Sequence, residues 1–156
     1  MAIRVRRDKR FRLTGDKLRA INQATRDEVG RRGVLLSEPT VATWDTQVGF
    51  TAVDKRTAVE IVSDSKIFNW VNRGTRPHEI RPRGPWPLRF PGGFTAKTTP
   101  GSLSSGPGGS FGDTIVARSV QHPGIKARRF DKLIAEKLKP FVLQIWREQR
   151  AKILGR

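Results

Sequence analysis

The stretch from Pro82 to Asp113 limits what this chain can fold into more than any other feature, because six of its 32 residues are proline and eight are glycine. Its centre, PGGFTAKTTPGSLSSGPGGSFGD, lacks the apolar side chains whose burial would offset the entropy lost on ordering the backbone. A connection of that length inside a small domain is uncommon and is usually functional or disordered. Its few aromatics, Trp86, Phe90, Phe94 and Phe111, are candidate anchors on a partner or a neighbouring subunit. Trp86 and Phe90 are also expected to fold back on the chain's own sheet. The core must therefore come from the flanks of this loop.

The N-terminal flank reads as one helix and one hairpin. Thr14 offers an N-cap, Asp16 suits the helix dipole, and Leu18, Ile21, Thr25 and Val29 recur at helical spacing. The helix ends at Gly30 or Gly33, or runs through VLLSE until Pro39 stops it. From Thr40 to Asp54, Trp44, Thr46, Val48, Phe50 and Ala52 share one parity, which predicts a half-buried strand. DKRT (54–57) is a turn, and AVEIVSD (58–64) returns as the second strand of an antiparallel hairpin. KIFNWVNRG is too short for periodicity to choose between strand and helix. After the loop, DTIVARSV (113–120) predicts a third strand. From Lys126 onward, Phe130, Leu133, Ile134, Leu138, Phe141, Ile145 and Trp146 recur at helical spacing, with Pro140 as a kink or a second start. The expected class is α+β: a small antiparallel sheet or sandwich flanked by an N-terminal and a C-terminal helix. The expected organisation is a basic arm over residues 1–13 and a single domain over 14–156 that carries the extended loop 82–113.

The chain has 156 residues, enough for one domain and a modest core. It has no cysteine, which excludes disulfides and thiolate metal sites and suits a reducing compartment. No apolar run approaches the ~20 residues of a membrane helix, and the basic N-terminus lacks the apolar stretch of a secretory signal. Net charge is +17 and unevenly placed. Residues 1–12 hold +5, residues 73–97 hold +5 and residues 126–156 hold +7, while the remainder balances to zero. Such an excess points to a polyanion, or to acidic protein neighbours for a solvated basic surface.

The only histidines, His78 and His122, each sit beside a proline. A metal site built from them with Asp113 or Glu79 would match no ligand spacing, and neither histidine has an i, i+4 partner on a helix. Serines are plentiful only in the flexible loop, where a nucleophile could not be preorganised beside a base and an orienter. SGPGGSFGD precedes a strand, so it lacks the helix of a phosphate loop. No enzyme activity and no cofactor are expected. No zinc finger, homeodomain or aromatic RNA-binding signature is present, which leaves only non-specific contact with phosphates open. The histidine segments read better as turns. Gly74 and Thr75 reverse the chain, Pro77 fixes the residues before an extended HEIRP, and His122, Pro123 and Gly124 turn between strand and helix. Both histidines are expected to bond backbone there.

These two segments carry a family resemblance. An aromatic and valine stretch precedes GT-x-x-H-x-I-x-P, matched by Val71, Gly74, Thr75, His78, Ile80 and Pro82. After a glycine-rich loop and a strand comes V-x-HPG-x-x-A-x-x-F, matched by Val120, His122, Pro123, Gly124, Ala127 and Phe130. The arrangement resembles the minor tail, or tail-completion and head–tail joining, proteins of long-tailed double-stranded DNA phages, over about residues 14–145. The second block is the more specific. The chain departs from that pattern in its very basic arm and its long loop.

The resemblance implies a fold related to tail-tube and tail-terminator subunits. It also implies a structural virion protein of the neck or tail, assembled in the host bacterial cytoplasm as a homo-oligomeric, sixfold ring. Implied partners are the tail terminator, the tail tube and the head–tail connector, with packaged DNA as a non-specific contact and no membrane. Tail terminator or head-closure protein is the alternative within that class, and a non-specific nucleic-acid-binding protein is the alternative outside it. Contacts between subunits or ring layers are expected at Phe68, Trp70, Trp86, Phe90, Phe94 and Phe111. Contacts to a neighbour or a polyanion are expected at Arg4, Arg6, Arg7, Lys9, Arg10 and Arg12.

Overall fold

A computed structural model describes residues 14–155, so the basic arm and its six cations lie outside the described residues. The fold is α+β, with helices at both ends of the described residues around small antiparallel ribbons. Helix α1 (Gly15–Ser37) begins under Thr14, whose hydroxyl accepts from the Lys17 amide. It runs through both glycines and the VLLS stretch to Ser37, the longer of the two ends the sequence allowed. Gly30 and Gly33 are buried because β1 (Thr51–Asp54) and β2 (Val59–Val62) lie directly over them. A Cβ on Gly33 would stand 2.8 Å from the Ile61 side chain, and one on Gly30 would stand 2.8 Å from Ala52. The small residues let the hairpin settle on the helix.

The strand expected over 40–54 is a correction: only its last four residues pair. Glu38–Thr40 form a 3-10 turn, with the Thr40 hydroxyl donating to the Ser37 carbonyl at 2.6 Å. The alternation in this segment serves packing instead. Trp44 and Phe50 both lie on Phe68, at centroid distances of 6.5 and 4.9 Å. KIFNWVNRG resolves as a helix, α2 (Lys66–Arg73), capped by the Ser65 hydroxyl on the Phe68 amide at 3.2 Å.

The expected third strand over 113–120 is also corrected, into two strands with different partners. β7 (Thr114–Ala117) pairs with β4 (Leu88–Pro91), and β8 (Val120–His122) pairs with β3 (His78–Ile80). The C-terminal helix starts later than Lys126. Arg129 takes a positive φ of 54°, and α3 (Phe130–Leu138) follows it. A 3-10 turn holding Pro140 joins α3 to α4 (Val142–Leu154). Phe130, Ile134 and Leu138 form the buried cluster, with Val29, Leu36, Phe68, Val71 and Leu103 packed against it. Ile21 and Ile145 are fully buried where α1 meets α4.

The Gly/Pro loop is an ordered hairpin rather than a free loop. After β4–β7 come β5 (Phe94–Thr95) against β6 (Gly109–Ser110), then a bridge from Thr98 to Ser105. Each step shifts the register by one residue, a bulge taken up at glycine-rich positions. The tip is tied to the body. Ser105 donates from its amide and its hydroxyl to the Pro39 carbonyl, both at 3.0 Å. Lys97 reaches the Thr43 carbonyl at 2.8 Å and the Asp45 carboxylate at 2.9 Å. Main-chain bonds, short hydroxyls, the Lys97 ammonium and the apolar contact of Leu103 with the core order this segment, which has no apolar periodicity.

Candidate functional site

The two motif segments fold into one unit. Residues 75–80 and 120–125 run antiparallel in a single register: Thr75 faces Ile125, His78 faces His122 and Ile80 faces Val120. The Arg128 and Arg129 amides donate to the Val71 and Asn72 carbonyls in the last turn of α2, at 3.1 and 3.0 Å, and so tie the second segment to that helix end. That register sets Pro77 opposite Pro123, where neither strand has an N–H to donate, and the ladder breaks there.

Two glycines allow the close approach. Gly74 has φ +78°, and a Cβ there would meet the Ile125 carbonyl at 2.6 Å. Gly124 has φ +85°, and a Cβ there would meet the Thr75 carbonyl at 2.4 Å. Each glycine thus yields to the backbone of the other segment. Thr75 closes the clasp: its amide donates to the Ile125 carbonyl at 2.9 Å, and its carbonyl and hydroxyl both accept from the Ile125 amide.

The histidine rings stack at 5.0 Å between centroids. Nδ1 of His78 lies 2.9 Å from the Arg76 carbonyl, which can only accept, so Nδ1 carries the proton. Nδ1 of His122 accepts from the Gly124 amide at 3.0 Å, so a neutral ring carries its proton on Nε2. Joint metal binding through the two Nε2 atoms would require His122 to move that proton to Nδ1 and lose the turn bond. Among the described residues, no group of three His, Asp or Glu comes together with metal-binding spacing. Glu79 is held below the usual carboxylate range by the Arg81 guanidinium, and then by Ser119, so it is already spent.

Asn72 is the residue sequence reasoning missed. It is buried, and its side-chain oxygen accepts from the Asp131 amide in the first turn of α3 at 3.3 Å. The residue before α3, Arg129, supplies no side-chain cap, so Asn72 serves from another element. The histidine pairing was also missed, although one signal was present. The order Pro-His in one segment and His-Pro in the other is what antiparallel pairing aligns.

The expected contact residues divide into two groups. Phe68 is half-buried, stacked on Phe130 at 5.7 Å, and Phe90 is half-buried on β4. Neither is fully covered, and Phe68 is engaged in the chain's own packing. Trp86 is 80% exposed, which corrects the expectation that it folds back. Trp70, Phe94 and Phe111 are each more than half exposed. Phe94 and Phe111 belong to the same hairpin arm. The clefts on the surface, one beside Leu103 and Leu133 and one along residues 38–48, lie open to solvent. Among the described residues, no helix is long and apolar enough to cross a membrane. No protein-family model, curated protein or solved structure matches this chain.

Proposed function

We propose that this chain is a structural subunit of the neck of a long-tailed double-stranded DNA phage. In this reading it is a tail-completion or head–tail joining protein that works as one member of a homo-oligomeric, sixfold ring. It performs no chemistry, and its partners are further copies of itself and the tail terminator, tail tube and head–tail connector. The virion is its final location.

The observation that carries the reading is an unfinished apolar surface. Among the described residues six apolar side chains are buried, while fourteen large ones are exposed by more than a third. Trp86, Phe94 and Phe111 are at least 73% exposed, on or beside an arm whose tip is bonded to its own body. Exposed aromatics clustered on a fixed arm mark a protein–protein surface. The two blocks that carry the resemblance supply the second support, since they form one backbone clasp with both histidines engaged by main chain.

The test is a triple variant, Trp86→Ser, Phe94→Ser and Phe111→Ser, supplied in trans to a phage lacking the protein. These side chains contribute little to the fold, so circular dichroism and melting stay close to wild type while plaque formation is lost. Full complementation by the folded triple variant would defeat the proposal.

A further inference from the structure

We infer that the clasp formed by residues 71–81 and 120–129 is a binding face for the phosphate backbone of double-stranded DNA. The pairing unites two of the three segments that hold the chain's excess charge. Arg73, at the end of α2, Arg76 and Arg81 come from one segment, and Lys126, Arg128 and Arg129 from the other. Against these six cations the two segments contain one carboxylate, Glu79, which is paired with Arg81 at 2.8 Å. Arg128 is half-buried and held by the Thr98 hydroxyl at 3.2 Å. Arg73, Arg76, Lys126 and Arg129 are exposed and, among the described residues, have no carboxylate partner.

A cation cluster of this kind fits an anion with repeated charges. The paired part of the clasp, Thr75 to Ile80 against Val120 to Ile125, is about 20 Å long at ~3.3 Å per residue, and a duplex carries one phosphate charge per ~1.7 Å of axis, so several phosphates fall within its reach. Its surface is poor in the apolar groups on which protein partners build an interface, and Ile80, at 37% exposed, is its only exposed large apolar side chain. It contains no phenylalanine or tryptophan between Val71 and Arg81 or between Val120 and Arg129, so it offers no stacking platform for single strands. A wet, basic surface suited to duplex phosphates remains. This inference stands apart from the neck assignment and concerns a different surface from the aromatic arm.

The test uses the full-length protein and a labelled 30-base-pair duplex of random sequence, followed by anisotropy from 50 to 200 mM salt. The variant Arg76→Glu/Lys126→Glu reverses two exposed charges on the clasp. The control Lys17→Glu/Lys152→Glu makes the same net change on the exposed surfaces of α1 and α4. Four phosphate contacts imply a salt slope from the clasp of about −3.6, and removing two lowers it by about 1.8. The clasp variant is expected to bind at least about tenfold more weakly than the control variant. Equal losses in the two variants would overturn the inference, because they would show that only total charge matters. Binding of a polyglutamate chain as tightly as the duplex would also overturn it, in favour of an acidic protein partner.

Discussion

Replacing Gly124 with alanine isolates the close approach that joins the two motif segments. Two costs arise. The first is conformational: φ +85° is a region that non-glycine residues enter at a cost of about 1 kcal/mol or more. The second is steric. The new Cβ would lie 2.4 Å from the Thr75 carbonyl oxygen and 2.9 Å from the Arg76 carbonyl carbon, about 1 Å inside ordinary contact. Both are backbone atoms, so no side chain can rotate away. Relief requires parting the segments, which sacrifices the Thr75–Ile125 hydrogen bonds at about 1 kcal/mol each. The sum is about 3–5 kcal/mol. Gly101→Ala is the matched control, because Gly101 has φ +83° with nothing within 4 Å of the added Cβ. It should lose only the conformational part, about 1 kcal/mol. In melting temperature the two translate to about 9–15 °C and about 2–4 °C for a chain of this size. Urea denaturation followed by tryptophan fluorescence reads both. Losses equal to within about 0.5 kcal/mol would refute the close-approach argument.

Other outcomes follow from the packing and the charges. Phe130→Ala removes a fully buried ring stacked on Phe68 and is expected to cost about 3–5 kcal/mol in urea denaturation. Asn72→Ala strips the cap of α3 and leaves the Asp131 amide without its partner, for a loss of about 1–2 kcal/mol; Asn72→Asp should recover part of it. Glu28 is lowered to about 2 by hydrogen bonds from Arg31 and then Arg32. A depressed carboxylate stabilises the fold above its unfolded value and loses that contribution as pH falls toward the folded one. Stability should therefore drop between about pH 4.5 and 2, and Glu28→Gln should flatten that part of the profile in acid titrations.

Much of the framework was legible because its signals are local. Thr14 caps α1, the 54–57 turn separates two paired strands, and the apolar spacing after Lys126 becomes α3 and α4. The errors share one physical cause: apolar patterning does not report main-chain pairing. The alternation from Trp44 to Phe50 is real, but it places rings on Phe68 without any ladder partner. The 82–113 segment has no apolar pattern, yet it forms a bulged hairpin whose tip is fixed by Lys97 and Ser105. At the candidate site, glycine, proline and histidine suggested turns. That the turns clasp each other depends on a register between segments about 45 residues apart, which composition and periodicity do not encode.

The role proposed for this subunit is to complete the junction between head and tail. The most direct measurement is electron microscopy of lysates from the phage or prophage whose copy of this chain carries a stop codon at Trp44. DNA-filled heads and separate tails are the expected result, with tail length distinguishing completion from termination. Intact, infectious virions would contradict it.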